Sequence, residues 1–193
     1  VAPAPALMDS VNVSTGYISP EFGLKAGGVI EVKTGGRSPE HWLGSFDVAA
    51  GSDATRQLSS VAGGPLGETM TLTLGIASQA SSRFLDPVHP DNLHNDGSSL
   101  SAGAQFGWSV SSATTLTAFA GFGRSDFDVP HGEVQEEAGQ DQRQRLRQQW
   151  QTLSAQHAAS ATTVTQLAGY HRSGSAALAR TPRHTPLLCD AHP

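Results

Sequence analysis

The residues best suited to chemistry are imidazole and carboxylate groups crowded into positions 86–96. They are Asp86, His89, Asp91, His94 and Asp96. Imidazole and carboxylate are common metal ligands, so a metal site is one interpretation. However, Pro87 and Pro90 prevent a helix that would align the two histidines, and the spacing matches no fixed ligand pattern. The alternative is a loop whose short polar side chains bond to its own backbone. We favour the loop and predict no metal-binding residue.

Other chemistry-bearing residue types occur without a supporting motif. Cys189 is the only cysteine, which excludes disulfide frameworks and multi-cysteine zinc sites. Serine, histidine and aspartate are present, but no nucleophile elbow surrounds any serine. No glycine-rich phosphate loop occurs either. We therefore predict no catalytic residue, no cofactor-binding residue and no enzymatic activity.

The composition of the 193-residue chain limits what it can be. Hydrophobic residues make up 37% and charged residues 15%, below the roughly 45–50% and about 25% of soluble globular proteins. Small and hydroxyl-bearing residues fill the difference, which argues against an ordinary enzyme core. The net charge of −5 offers no excess of basic residues of the kind that binds nucleic acid. No apolar run is long enough for a transmembrane helix.

Strict alternation of apolar and polar residues predicts an all-β chain. The alternation is clearest in 69–77 and 99–110. With a further strand after Arg143, we expect about seven strands beyond residue 40. The other predicted strands are 41–50, 56–62, 114–123 and 162–172.

The predicted connections are tight at one end of the sheet and mostly long at the other, although the link at 51–55 is short. Tight turns are expected at 63–67, 111–113 and 158–161, whereas long polar loops cover about 80–98 and 124–142. Outer-membrane barrels have short turns at one end and longer loops at the other, and strands of about 10 residues suit a tilted bilayer span. A soluble β-sandwich has the same period of two with its apolar face in a core. The loop asymmetry favours the barrel.

Two further patterns leave alternatives open. The aromatic residues Trp42, Trp108, Trp150 and Tyr170 could form girdles at a membrane interface or pack on the buried face of a soluble sheet. The charged, glutamine-rich segment 133–151 could bind a charged ligand or form an amphipathic helix. We favour a solvated loop that leads into a strand facing a wet lumen.

The N-terminal segment 7–35 carries a family resemblance. It contains the β-prone runs Val11–Val13 and Val29–Val32, and between them Pro20-Glu21-Phe22-Gly23 and Gly27-Gly28. This segment resembles the end of the plug domain of TonB-dependent outer-membrane receptors. The hairpin 41–66 and the segments 83–97, 127–130 and 140–151 are similar to the Oar-like, carboxypeptidase-regulatory-like branch. The resemblance covers roughly residues 7–172.

The resemblance implies a fold and a domain organisation. Residues 1–36 would be the C-terminal end of the plug, 37–172 the first strands of a 22-stranded transmembrane β-barrel, and 173–193 an irregular tail. We therefore expect an antiparallel meander of about seven strands, an internal fragment or truncated product. Because so few strands cannot close a barrel, we expect an open sheet with two unpaired edges.

The resemblance also implies a function and a location. The chain would be part of a Gram-negative outer-membrane receptor for energised uptake of a scarce siderophore, cobalamin, oligosaccharide or peptide. Its partners would be outer-membrane lipid, the TonB complex and a small ligand, with no cofactor and no nucleic acid. The alternative is a soluble or surface-attached β-sandwich that acts as an adhesion or carbohydrate-binding module.

Overall fold

The computed structural model of the chain describes residues 8–14, 29–34 and 40–180. The first two ranges are β1 (Met8–Ser14) and β2 (Val29–Thr34), which pair antiparallel with Val11 opposite Val32. Both β-prone runs of the N-terminal segment are therefore strands. The Glu21–Gly23 and Gly27–Gly28 elements of the resemblance lie outside the described residues.

A seven-stranded antiparallel meander forms the remainder of the described chain. Each strand pairs with the next in sequence, so β3 and β9 are the two edges of an open sheet. This confirms the predicted all-β class and the predicted number of strands after residue 40. The strands are β3 (Leu43–Ala50), β4 (Arg56–Pro65), β5 (Met70–Ser81), β6 (Gly97–Ser111), β7 (Thr114–Asp128), β8 (Gln142–Ser160) and β9 (Thr163–Arg180).

The connections differ at the two ends of this sheet. Short turns at 66–69, 112–113 and 161–162 form what we call the turn end. The links 51–55, 82–96 and 129–141 form the loop end, and the last of them contains the one-turn helix α1 (Glu133–Glu137). The predicted asymmetry of loop lengths is present. Of the residues described, none belongs to a helix with the length and apolar character needed to cross a bilayer.

The predicted turn at Gly63–Gly67 is wrong, because β4 continues through Pro65. Gly63 and Gly64 allow close approach within the sheet and do not reverse the chain. A Cβ on Gly64 would lie 2.5 Å from Cγ of Trp42, and one on Gly63 would lie 2.7 Å from Oγ1 of Thr73. The reversal lies at 66–69, where Gly67 adopts a φ of 79°, a conformation that glycine tolerates best.

The predicted start of an irregular tail at residue 173 is also wrong. Strand β9 continues to Arg180, and its last residues pair with the beginning of β8. The long β8 supplies backbone partners to these residues, although their side chains are mostly small and give little contrast between faces. Residues 181–193 lie outside the described residues.

The strand register sorts side chains onto two faces of the sheet. Directly paired residues share a face, as in the row that joins Phe46, Ser60, Ile76, Ala102, Phe122, Gln149 and Ser173. We call this the apolar face. It carries the even-numbered residues of β3–β7 and the odd-numbered residues of β8 and β9. The opposite, polar face carries mainly serine, threonine, glycine and glutamine.

Candidate functional site

In the central strands β5–β7, exposure on the two faces is the reverse of that in a water-soluble sheet. On the apolar face, Leu74 is 45% and Ile76 is 41% exposed. On the polar face, Ser101 and Ser125 are each 8% exposed. Within the described ranges the meander is a single layer, and Phe127, on the polar face, is the only buried hydrophobic residue. The apolar face is therefore an extended surface that no other described element covers.

Large apolar side chains on this face form a continuous band, which we call the apolar belt. It consists of Trp42, Phe46, Val48, Leu58, Met70, Leu72, Leu74, Ile76, Leu100, Phe106, Trp108, Leu116, Phe122, Leu153 and Leu167. Exposed apolar patches far smaller than this mark interaction sites on soluble proteins. The belt is accordingly the largest candidate interaction surface on the sheet.

The edge of the belt nearest the loop end is not level across the sheet. On β3 this edge lies at Val48, but on β9 it lies at Leu167, eight residues nearer the turn end than the row of Val48. The opposite edge is level from β5 to β9, because Met70, Trp108, Leu116 and Leu167 lie in one row of the register. The belt therefore narrows toward β9.

The four aromatic residues considered as girdle members do not share a face. Trp42 and Trp108 lie on the apolar face near the turn end, and Nε1 of Trp42 donates a 3.1 Å hydrogen bond to the carbonyl of Pro65. Trp150 and Tyr170 lie on the polar face. The Trp150 ring stacks with that of Phe119 at a centroid distance of 6.4 Å. Only the first two can therefore belong to a girdle on the apolar surface.

The loop at 82–96 folds over the polar face at the loop end. The Phe84 ring stacks on Phe127 at 5.6 Å and covers Gly97, where a Cβ would lie only 2.4 Å from Cγ of Phe84. Asn95 fixes the loop, because its Nδ2 donates to the Leu85 carbonyl at 2.7 Å and its Oδ1 accepts from the Leu85 amide at 2.9 Å. Sequence spacing does not indicate this aromatic clamp, because Phe84 and Phe127 lie in separate segments of the chain.

A groove of about 610 Å³ opens on the polar face beside Phe84. Its walls combine hydroxyl and amide groups with aliphatic side chains, one aromatic ring and one carboxylate, that of Asp47. This mixture can hydrogen-bond a polar, largely uncharged molecule and stack against part of it. The side chains best placed to do so are Gln57, Gln79, Ser99, Ser101, Ser125 and Phe84.

The histidines of the 86–96 cluster contact the neighbouring loop. Nε2 of His89 lies 3.3 Å from Oε1 of Glu133, and Nε2 of His94 lies 3.4 Å from Oδ1 of Asp141. Asn92 adopts a φ of 55° and His94 one of 52°, which confirms irregular loop geometry. Within the described part of the chain, no group of three potential ligands is close enough to hold a metal ion.

His131 is the buried member of this loop-to-loop contact, at 7% exposure. Its ring lies 4.8 Å from that of His94, and its Nε2 lies 2.8 Å from Oε2 of Glu136 without hydrogen-bond alignment. Burial lowers the pKa of His131, the nearby His94 lowers it further, and Glu136 opposes the shift. The ring is therefore held mainly neutral near pH 7. Sequence spacing could not reveal this pairing between separate loops.

Charged side chains cluster on the apolar face between β7 and β8, beyond the belt. Asp126 accepts hydrogen bonds from Nε of Arg143 at 3.0 Å and from Nε of Arg145 at 2.9 Å. Nη1 of Arg143 also lies 3.4 Å from Oδ1 of Asp128. Of the alternatives for 133–151, the loop leading into a strand is confirmed, because α1 has only one turn and β8 begins at Gln142.

The fold and surfaces define the class of this protein as an all-β chain with an open, single-layered meander whose apolar face is exposed. Comparisons of the chain with family models, with curated proteins and with solved structures find no match.

Proposed function

We propose that β3–β9 are consecutive strands of a membrane β-barrel, with the apolar face against lipid and the polar face toward a wet lumen. The observation that carries this proposal is the reversed exposure, with Leu74 and Ile76 exposed while Ser101 and Ser125 are shielded. Backbone groups in a bilayer must be paired internally, which favours strands closed into barrels. The short connections at the turn end and the mostly longer ones at the loop end agree with barrel strands.

The sandwich alternative receives less support. An adhesion or carbohydrate-binding sandwich buries its apolar face against a second sheet. Within residues 40–180 the meander is one layer, and Phe46 and Val48 are each about two-thirds exposed. A sandwich would require a further sheet to cover them.

We further propose that the chain is part of a TonB-dependent outer-membrane receptor that imports a scarce ligand with energy from the TonB complex. The resemblance of 7–35 to a plug end and the pairing of β1 with β2 support this. The loops 82–96 and 129–141 then face outward, and the groove beside Phe84 opens into the lumen. Its hydroxyl and amide groups suit a polar ligand such as an oligosaccharide, a peptide or a siderophore.

Cysteine scanning along β5 tests the orientation of the sheet. In a Cys189→Ser background, Leu72, Leu74 and Ile76 on the apolar face and Thr71, Thr73 and Ala77 on the polar face are replaced one at a time by cysteine. After reconstitution into phosphatidylcholine vesicles, a membrane-impermeant maleimide should label the second set and spare the first. Uniform labelling, or the opposite periodicity, contradicts the barrel proposal.

The uptake proposal needs its own experiment in cells. Deletion of the complete gene should abolish growth on one limiting nutrient, and the gene should restore growth only in cells with an intact TonB complex. Restoration without TonB contradicts the receptor assignment but leaves the barrel orientation standing.

A further inference from the structure

Two arginines oppose each other directly on the apolar face. Arg124 of β7 pairs in register with Arg147 of β8, and both side chains are exposed. The Cβ atoms of directly opposed residues are about 5 Å apart, and like charges at such positions destabilise a sheet. An anion bound between the two guanidinium groups would remove this repulsion.

Neighbouring carboxylates do not neutralise this pair. The closest acidic side chains on the same face, Asp126 and Asp128, are engaged by Arg143 and Arg145. Four arginines thus share two aspartates at this position. The result is a local excess of positive charge on a chain whose net charge is −5, which favours an external anion.

The two arginines line a groove of about 460 Å³ that also offers neutral donors. Gln149, Ser173 and Ser175 lie on the same face around them. Arginine forks match the oxygens of phosphate well. The groove therefore has both the charge and the hydrogen-bonding groups of a phosphate site.

The groove adjoins the apolar belt. Arg124 pairs with Leu100 on β6 and follows Phe122 by two residues on the same face. A molecule seated there contacts apolar side chains toward the turn end and arginines toward the loop end. Long basic side chains at such a boundary reach toward lipid headgroups.

We propose that Arg124 and Arg147 bind the phosphate of a membrane lipid whose acyl chains lie along the apolar belt. This inference rests on the proposed function, because it requires the belt to face lipid. The ligand class is a phosphate-bearing lipid, and the site selects it over lipids without net charge.

Calorimetric titration of the full chain in neutral dodecyl maltoside micelles tests the site. The probes are dihexanoyl phosphatidic acid, dihexanoyl phosphatidylcholine and inorganic phosphate. A basic residue near a lipid surface contributes a factor of about five in affinity. The double variant Arg124→Gln/Arg147→Gln should therefore bind phosphatidic acid about 25-fold more weakly, with phosphatidylcholine binding unchanged.

Two further variants separate a specific site from general charge. Arg172→Gln removes one positive charge from the polar face, where Arg172 donates to Oε1 of Gln148 at 3.3 Å, and it should leave phosphatidic acid binding unchanged. Arg124→Lys/Arg147→Lys should retain part of the affinity. A retained β-sheet circular dichroism spectrum identifies the variants that fold.

Four results would overturn the proposal. A weakening of about fivefold by Arg172→Gln would show that only net charge matters, and equally tight binding of inorganic phosphate would refute the lipid assignment. A detergent-bound chain without phosphatidic acid selectivity would refute the site alone. A chain that elutes free of detergent in gel filtration would refute the proposed function and this inference together.

Discussion

The ring of Phe84 lies on the ring of Phe127, with centroids 5.6 Å apart and planes inclined by 22°. This stack joins the loop 82–96 to the polar face of β7, and Phe127 is the only hydrophobic residue that is buried in the described part of the chain. The one buried hydrophobic side chain of the described residues therefore lies beneath a loop.

Substitution of Gly97 should release this loop. In Gly97→Ala the new Cβ would lie 2.4 Å from Cγ of Phe84, so the ring must move. Because overpacking typically costs about 1–3 kcal/mol, we expect the free energy of unfolding to fall by that amount. Amide hydrogen exchange in 82–96 should also become faster.

The matched control is Gly169→Ala in β9, where nothing lies within 4 Å of the added Cβ. It should leave exchange in 82–96 unchanged. If both substitutions have the same effect, the clamp does not hold the loop.

Loss of the Asp126 carboxylate should destabilise the β7–β8 hairpin. Asp126→Asn removes the negative charge and one of the two oxygens that accept from Arg143 and Arg145. Both arginines are about half exposed, so solvent screening reduces the effect to about 1–2 kcal/mol. Urea unfolding in micelles measures the change.

Asp47→Asn provides the comparison on β3, since Asp47 forms only a 3.4 Å contact with Oγ of Ser59 and should change stability little. High salt should reduce the difference between the two variants. No loss in Asp126→Asn would mean that this cluster contributes nothing to stability.

Acidification should loosen the contact between the two long loops. The pKa of His131 is lowered, first by burial and then by His94, so the unfolded loop binds a proton at higher pH than the folded loop. The contribution of the neutral His131 ring to the stability of the folded loop is therefore fully present above about pH 6.5. This contribution declines as the pH falls through the lowered pKa. Hydrogen exchange in 129–141 should accelerate over this window.

His131→Gln should remove most of this pH dependence, whereas His171→Gln, in β9 and away from the loops, should retain it. An NMR titration of His131 that gives a pKa at or above 6.5 would contradict the argument.

Sequence alternation was sufficient to predict the strands but not their full length or their ends. Small and hydroxyl residues at 173–180 give no contrast, although their backbone pairs with β8. Gly63 and Gly64 suggested a turn because glycine's two uses, tight reversal and close approach, look alike in sequence. Phe119 is an apolar residue at a polar position of the alternation in 114–123, and it lies on the polar face, where it stacks with Trp150.

The candidate sites were less predictable because they combine residues distant in sequence. Phe84 meets Phe127, and His94 meets His131, only after the loops fold onto each other. A partial signal existed for the charge cluster. Charged residues recur at every second position on both sides of the loop 129–141. They are Asp126 and Asp128 before the loop and Arg143, Arg145 and Arg147 after it. A hairpin places two such runs face to face, so the cluster could have been predicted. That four arginines lie beside only two aspartates, however, follows only from the register of β7 and β8.

The orientation of the sheet in a bilayer can be measured with the chain's own tryptophans. Trp108 lies on the apolar face and Trp150 on the polar face. Variants that retain only one of them, with phenylalanine at the other two tryptophan positions, are reconstituted into vesicles of brominated phosphatidylcholine. We predict strong quenching of Trp108 and little quenching of Trp150. Equal quenching of both, or quenching of Trp150 alone, would contradict a lipid-facing apolar belt.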